Sequence, residues 1–169
     1  LDVDGVLTDG GIYVGLHPEG AEIELKRFDI QDGLGVKMLR WAGIEVAMVS
    51  GRVSSATVQR AEELGIEECH QDPTAEKLPI VRRLMENRHL NWDAVAMVGD
   101  DLADLPVLQR VGLPVAVANA VPEVRSLAHW ITSARGGAGA VREFSRTLLE
   151  TREEWERLVQ EYCDARSNL

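Results

Sequence analysis

Short apolar runs that are typical of β-strands alternate with helical patterns along most of this chain. The strand-like runs cover residues 44–49, 94–98 and 115–118, with a weaker run at 129–132. Between them, apolar residues recur at helical spacing over 35–42, 54–64, 77–87 and 102–111. This alternation favours right-handed βαβ units and a mostly parallel sheet. Ligands of such sheets bind beyond the carboxyl ends of the strands.

Two carboxylates, Asp2 and Asp4, come directly before Gly5 at what we interpret as the end of a strand. Strand alternation would turn Val3 away and place both aspartates on the same side. Two like charges so close repel each other unless a cation lies between them or one carboxyl is protonated. Mg²⁺ would serve, because hard cations prefer oxygen ligands. A plain strand that ends in an Asp-Gly turn is the structural alternative.

Three further polar motifs follow in order along the chain. Ser50 comes after the run 44–49, Lys77 lies in a polar stretch, and Asp100 follows the run 94–98 and a glycine. Each motif alone has an ordinary explanation, such as a helix cap for the serine. Together, in this order and mostly at strand ends, these motifs and the aspartate pair resemble the haloacid dehalogenase superfamily of phosphohydrolases.

This resemblance implies a three-layer, Rossmann-like α/β fold in a single domain that spans residues 1–169. It implies that Asp2 is a nucleophile that forms an aspartyl-phosphate and that Asp4 is the general acid and base. Ser50 would hydrogen-bond a phosphoryl oxygen, and Lys77 would neutralise phosphoryl charge.

The resemblance also implies a Mg²⁺ cofactor. Its ligands would be Asp2, the backbone carbonyl of Asp4, and Asp100. Asp101 would orient water or support the ligands. Asp104 would act as a helix cap or support rather than as a direct ligand, since it lies about one helical turn beyond Asp100.

Residues 9–30 interrupt the alternation. Two short strand candidates, 10–14 and 22–26, flank a turn-rich stretch at 15–20, which predicts a β-hairpin flap after the first strand. A two-stranded flap is marginal alone, so it must fold over the site or pair with another subunit. A C-terminal helical tail is predicted at about 140–166, and no insertion is large enough for a separate cap domain.

The flap, the segment 28–35 and the glycine-rich segment 136–143 resemble a capless, tetrameric branch of the superfamily. That branch includes the phosphatases of 3-deoxy-D-manno-octulosonate 8-phosphate (KDO 8-phosphate), an intermediate of lipopolysaccharide precursor synthesis. The resemblance implies a homotetramer whose pockets are shared between subunits. A nine-carbon keto-acid 9-phosphate is the alternative substrate. The phosphatases that act on such acids tend to have a glutamate at the position of Arg52, which favours the eight-carbon substrate.

Three arginines and three residues of the segment 28–35 are candidate substrate contacts. An arginine fork suits the sugar's carboxylate, and the candidates are Arg52, Arg60 and Arg142. For Arg60, a helix-surface salt bridge with Glu63 is an equal alternative. The residues expected to shape the pocket are Gln31, Asp32 and Gly33. The glycines at 136–139 would let the backbone approach a ligand closely, or else form a flexible linker.

The composition of the chain disfavours several classes of binding partner. A net charge of −10 argues against nucleic acid and anionic membranes, and no apolar run approaches the roughly 20 residues of a membrane span. The two cysteines, Cys69 and Cys163, lie far apart, which favours free thiols and a reducing cytoplasm. Because a central strand needs about five residues, we expect further residues before Leu1 in the natural protein.

Two non-enzymatic interpretations stay open. A receiver-type phosphoacceptor domain also combines strand-end carboxylates, a hydroxyl and a lysine on a parallel sheet, but it has no need of the second carboxylate, Asp4. A catalytically inactive assembly domain is disfavoured because four residues are intact: Asp2, Asp4, Lys77 and Asp100.

Overall fold

A computed structural model describes residues 1–167 and shows the predicted α/β architecture. The strands are β1 (Tyr13–Leu16), β2 (Glu22–Leu25), β3 (Ala47–Ser50), β4 (Glu68–Gln71), β5 (Ala96–Gly99), β6 (Leu113–Ala116) and β7 (Trp130–Ile131). The helices are α1 (Ile30–Trp41), α2 (Ser55–Leu64), α3 (Lys77–Asn87), α4 (Leu105–Leu108), α5 (Pro122–Leu127), α6 (Ala140–Thr151) and α7 (Trp155–Ser167).

The parallel strands form two sets that the first residues of the chain connect. β3 pairs with β4, and β6 pairs with both β5 and β7. The carbonyl of Leu1 accepts a hydrogen bond from Val49 N–H, and Asp2 N–H donates to the carbonyl of Val98, both at 3.0 Å. The spatial order is therefore β4, β3, residues 1–2, β5, β6, β7. The predicted first strand is thus a short extended segment in the middle of the sheet.

The boundaries of several elements match the sequence predictions. Helix α3 covers the predicted range 77–87, and Gly65 ends α2 in the left-handed conformation with φ of +70°. Strand β4 was missed because its sequence, Glu-Cys-His-Gln, is polar and half-buried. The helix predicted at 102–111 is wrong in detail: it consists of a 3₁₀ turn at Leu102–Asp104 followed by the short α4.

The core lies between the sheet and the helices that pack on it. Valines from the sheet and from two helices are almost fully buried: Val3, Val36, Val98, Val115 and Val141. Helices α1 and α6 approach closely at Gly35, where a Cβ would lie 3.1 Å from the Cα of Arg142. Within the described residues, no helix combines the length and the apolar character that a membrane crossing requires.

The predicted hairpin is present. β1 and β2 pair antiparallel, with Tyr13 opposite Leu25 and Leu16 opposite Glu22. Its apolar side chains are largely exposed: Val14 is 77% and Leu16 is 72% accessible. Burial of this face by another subunit stays a prediction.

Candidate active site

Lys77 lies at the centre of a buried charge cluster at the carboxyl ends of the parallel strands. It is the first residue of α3, and its side chain is 3% exposed. Its Nζ donates to Oδ1 of Asp2 and, at 2.6 Å, to Oδ1 of Asp104. The structure thus brings together two residues that sequence analysis assigned to catalysis, although they are 75 positions apart.

Asp104 joins this cluster from the 3₁₀ turn after β5. Its Oδ2 accepts hydrogen bonds from the backbone N–H groups of Asp100 at 2.9 Å and Asp101 at 3.3 Å. The Asp101 side chain in turn accepts from Leu102 N–H at 2.7 Å. This reciprocal capping fixes the turn and leaves Oδ1 of Asp104 for Lys77. The capping role was foreseen from the sequence, whereas the contact with the lysine was not.

Burial and mutual repulsion raise the pKa values of two carboxyls in the cluster. Burial, and then the charge of Asp104, raise the pKa of Asp2 to about 6 although Lys77 opposes the shift. Burial, and then the charge of Asp2, raise the pKa of Asp100 to about 8. Burial alone would lower the pKa of Lys77, but the neighbouring carboxylates outweigh it and the pKa is raised. The cluster holds more negative charge than one lysine offsets, so it attracts a further cation.

The donor set fits Mg²⁺. Asp2, Asp100 and Asp104 each present a carboxylate oxygen, and these oxygens lie within 4.8 Å of one another. Oδ1 of Asp100 is buried and has no hydrogen-bond partner among the described residues. Such an oxygen is costly unless a ligand satisfies it. Clustered carboxylate oxygens are the ligands that hard divalent cations prefer.

The turn at Gly5 fits tightly against two other segments. Gly5 has φ of +96°, and a Cβ there would lie 2.0 Å from Oδ2 of Asp100. A Cβ at Gly136 would lie 1.7 Å from the carbonyl oxygen of Gly5. Asn119 bridges the two glycines, since it accepts from Gly136 N–H at 2.7 Å and donates to the Gly5 carbonyl at 3.1 Å. The close approach predicted for the glycines at 136–139 is therefore made to the chain's own turn.

The carboxylate of Asp4 contacts side chains from two other segments of the chain, Lys26 and Ser50. Lys26, directly after β2, places its Nζ 2.8 Å from Oδ1 and 3.0 Å from Oδ2 of Asp4. Ser50 Oγ lies 3.4 Å from Oδ2 and accepts from Arg52 N–H at 3.1 Å. Lys26 Nζ also donates to Oγ1 of Thr57 at 3.3 Å. The structure thus brings the predicted Asp4 and Ser50 together and adds a lysine that sequence analysis did not single out.

Arg52, a predicted substrate contact, is held by the hairpin. Its Nε donates to Oε2 of Glu24 at 3.2 Å, and its Nη2 contacts the same oxygen. Hydrogen bonding and the charge of Arg52 lower the pKa of Glu24. Oε1 of Glu24 lies 4.0 Å from Nζ of Lys26. A chain of alternating charges thus runs from Arg52 through Glu24 and Lys26 to Asp4.

The other predicted substrate contacts near α1 have structural partners. Arg60 donates to Glu63 at 2.8 Å and to the carbonyl of Asp29 at 2.9 Å, so the alternative salt bridge is present. A Cβ at Gly33 would lie 2.4 Å from Nη2 of Arg60. The backbone N–H of Gln31 donates to Oδ1 of Asp29, and Gln31 is exposed. Their role in the pocket stays a prediction.

Asp32 connects α1 to the start of α6. Its carboxylate accepts from Arg142 N–H at 2.7 Å and from Gly139 N–H at 3.4 Å, and burial raises its pKa to about 6. The guanidinium of Arg142 lies 4.6 Å from the ring centre of Trp155. Within residues 1–167, none of these contacts reaches the carboxylate cluster, so the substrate role of Asp32 and Arg142 stays a prediction.

Three residues of the site were not predicted from the sequence: Asn119, Lys26 and Glu24. Asn119 carries a usable signal, because it directly follows the predicted strand 115–118, as the other strand-end residues follow theirs. Glu24 and Lys26 share one face of the predicted hairpin strand. The sequence alone does not tell which face of a hairpin meets the site.

The chain is similar in sequence and structure to known proteins of one family. The sequence profile of the haloacid dehalogenase-like hydrolases matches residues 71–143. The 3-deoxy-D-manno-octulosonate 8-phosphate phosphatase of Yersinia pestis is 42% identical over 148 residues, which cover 88% of this chain and 76% of the relative. The Escherichia coli K12 phosphatase of the same name is 44% identical over 149 residues, covering 88% of this chain and 77% of the relative.

A solved structure agrees with these sequence matches. The crystal structure of the Moraxella catarrhalis 3-deoxy-D-manno-octulosonate 8-phosphate phosphatase contains magnesium, phosphate and KDO. It superimposes with a TM-score of 0.87 at 35% identity, covering 95% of this chain and 90% of that chain. This chain therefore belongs to the haloacid dehalogenase-like hydrolases, in the family of the 3-deoxy-D-manno-octulosonate 8-phosphate phosphatases.

Proposed function

We propose that this protein is a Mg²⁺-dependent phosphomonoesterase that hydrolyses KDO 8-phosphate to KDO and inorganic phosphate, in lipopolysaccharide precursor synthesis. One observation carries the proposal: Lys77 joins Asp2 and Asp104 beside Asp100 at the carboxyl ends of parallel strands. A nucleophilic carboxylate, a cation and a metal-binding cluster are the groups that phosphoryl transfer requires. The identity of the substrate is inferred from the names of the relatives.

In the first step, Asp2 is the nucleophile. Its carboxylate oxygen bonds to phosphorus while the bond between phosphorus and the sugar oxygen breaks. Asp4 gives a proton to that oxygen, so KDO leaves as an alcohol and Asp2 carries the phosphoryl group. Lys77, held against Asp2, offsets charge on the phosphoryl oxygens, and Ser50 donates a hydrogen bond to one of them.

In the second step, water attacks the phosphorus of the aspartyl-phosphate. Asp4, now a carboxylate, takes a proton from that water, and the bond between phosphorus and the Asp2 oxygen breaks. Phosphate leaves and the Asp2 carboxylate is restored. The 24% exposure of the Asp4 side chain is consistent with access for this water.

Asp2, Asp100 and the backbone carbonyl of Asp4 would hold Mg²⁺. When bound, the ion supplies positive charge between the nucleophile and the phosphate and orients both. Asp104 and Asp101 support this site by fixing the turn after β5.

Arg52 binds the sugar acid's carboxylate. Its guanidinium lies on the Asp4 side of the site and already holds a carboxylate, that of Glu24. Substrate would take the place of that carboxylate on the arginine fork. The residues Gln31, Asp32, Gly33, Arg60 and Arg142 stay predicted pocket residues.

Residues 1–169 form a single catalytic domain, and the protein is a cytoplasmic homotetramer whose pockets are shared between subunits. The exposed apolar side chains of the hairpin, which include Tyr13, Val14 and Leu16, support assembly because such patches mark interfaces. The two free cysteines support a reducing compartment.

Phosphate release tests this proposal. With Mg²⁺ present, we expect strong preference for KDO 8-phosphate over nine-carbon keto-acid 9-phosphates and hexose phosphates. Preference for a nine-carbon acid would keep the mechanism and overturn the substrate. No release from any of these esters would overturn the proposed activity.

A further inference from the structure

Lys26 differs from the rest of the hairpin to which it belongs. Most hairpin side chains are exposed, yet the side chain of Lys26 is 0% exposed. A fully buried ammonium is costly unless it is paired. Its pairing is therefore a strongly specified feature of this site rather than an incidental surface contact.

The partners of Lys26 define what it does. The Nζ lies within 3.0 Å of both carboxylate oxygens of Asp4 and donates to Oγ1 of the fully buried Thr57. Thr57 lies on α2, which packs against the hairpin. The hydrogen bond to Thr57 thus fixes the Lys26 ammonium against helix α2. Its contact with both oxygens of Asp4 restricts rotation of that carboxylate.

We infer that Lys26 is a positioning residue that holds the Asp4 carboxylate where it takes a proton from the attacking water. This inference rests on the proposed function. It gives the hairpin a second role, within its own subunit, that does not depend on assembly. The step concerned is hydrolysis of the aspartyl-phosphate: the water oxygen bonds to phosphorus, its proton passes to Asp4, and the bond from phosphorus to Asp2 breaks. A displacement of about 1 Å in such a group can slow a step roughly 100-fold.

The two chemical steps can be separated with p-nitrophenyl phosphate, whose leaving group departs without needing a proton. Formation of the aspartyl-phosphate then needs no help from Asp4, whereas its hydrolysis does. Stopped-flow absorbance at high enzyme concentration records the first step as a burst of p-nitrophenolate and the second as the slow phase. A purely structural role for Lys26 would lower stability, or would slow both phases alike.

The main variant is Lys26→Met, which keeps the apolar stem and removes the ammonium. We expect a retained burst and a slow phase reduced roughly 100-fold. Lys37→Met is the matched control, because it removes the same charge from α1, and Lys37 makes no ion pair among the described residues. It should behave as the wild type does.

A second pair of variants keeps the test decisive if Lys26→Met does not fold. Thr57→Val removes the anchor of the ammonium at nearly constant shape, and should reduce the slow phase roughly tenfold while the burst stays. Thr57→Ser keeps the hydroxyl and should match the wild type. An unchanged slow phase in Lys26→Met, or in Thr57→Val if the lysine variant is unfolded, would overturn the inference. So would equal slowing of both phases. Absence of activity in the wild type would instead overturn the proposed function.

Discussion

The carboxylate floor of the site, formed by Asp2, Lys77, Asp100 and Asp104, differs in kind from the hairpin side, formed by Glu24, Lys26 and Arg52. In the floor, Lys77 and its two carboxylate partners have side chains that are at most 6% exposed. On the hairpin side, exposure increases away from Asp4: the side chain of Lys26 is 0% exposed, that of Glu24 is 20% exposed and that of Arg52 is 45% exposed. Charges interact strongly where water is excluded and weakly where it is not. The floor is therefore suited to bond making and breaking, the buried Lys26 to orientation of Asp4, and the exposed Arg52 to recognition of substrate.

The largest expected effect is in the floor. Asp2→Asn removes the nucleophile and should reduce phosphate release from KDO 8-phosphate by about 10⁴-fold or more. The fold should persist, because Lys77 keeps Asp104 as a partner. Asp93→Asn, a change at an exposed position, is the control and should retain activity. Substantial turnover in Asp2→Asn would contradict the assignment of the nucleophile.

Asp4 joins the two regions, since it follows the floor's nucleophile in sequence and contacts the hairpin lysine. Asp4→Asn cannot move a proton, so turnover should fall by about 10²- to 10⁴-fold. Circular dichroism and thermal unfolding should show a folded protein. Activity within a few-fold of the wild type would show that another group moves the proton.

Removal of metal should affect the floor more than the hairpin side. EDTA should abolish turnover, and Mg²⁺ should restore it. Without metal, the raised pKa values of Asp2, about 6, and Asp100, about 8, mean that these two carboxyls bind more protons in the folded state than in the unfolded chain, Asp2 between about pH 4 and 6 and Asp100 between about pH 4 and 8. The metal-free protein should therefore lose stability as pH rises through that window.

Thermal unfolding at pH 5 and pH 8, with EDTA or with Mg²⁺, measures this difference. We expect the melting temperature in EDTA to fall from pH 5 to pH 8, and Mg²⁺ to raise it most at pH 8. Asp100→Asn should respond less to both pH and Mg²⁺. A metal-free protein that becomes more stable toward pH 8 would contradict the electrostatic description of the floor.

Changes at Glu24 and Arg52, the members of the hairpin side that do not contact Asp4, should alter binding rather than chemistry. Arg52→Ala should raise KM by about tenfold or more with a small change in kcat, because a charge-assisted hydrogen bond contributes about 1.5–3 kcal/mol. Glu24→Gln should lower KM, since it weakens the contact that competes with substrate. Arg110→Ala is the control. Among the described residues, the Arg110 guanidinium donates only to the carbonyl of Pro106. A fall in kcat at constant KM would contradict this division of roles.

The smallest effect should come from Asp32, which lies outside both regions. Asp32→Ala removes an acceptor for the N–H groups at the start of α6 and should lower the free energy of unfolding by about 1 kcal/mol. Chemical denaturation measures this loss. If KM also rises in Asp32→Ala, the predicted pocket role is supported. An unchanged free energy of unfolding would contradict the capping role.

The floor could be predicted from the sequence because the sheet positions it. Asp2, Ser50 and Asp100 each end a strand-like run, and parallel strands bring their carboxyl ends to one edge. Lys77 could be assigned only through resemblance, since its approach to Asp2 depends on how α3 begins. The contact between Lys77 and Asp104 follows from a tight turn that the predicted helix at 102–111 did not reveal.

The hairpin side could be predicted only in part. The hairpin itself follows from alternating residues and a turn-rich stretch, but its contacts depend on a docking angle that no local pattern encodes. Lys26 was therefore not identified from the sequence, and neither was the contact between Arg52 and Glu24. The buried cap of α6 by Asp32 was missed for the same reason, since it joins positions 110 apart.

Trapping the phosphoryl group tests the mechanism most directly. Asp4→Asn should form the aspartyl-phosphate from p-nitrophenyl phosphate, which needs no proton for its leaving group, and should hydrolyse it slowly. Mass spectrometry of the acid-quenched, Mg²⁺-loaded protein should then find one phosphoryl group, on the peptide that contains Asp2, and none in the Asp2→Asn variant. A phosphoryl group on another residue, or none during active turnover of the wild type and Asp4→Asn, would contradict Asp2 as the nucleophile.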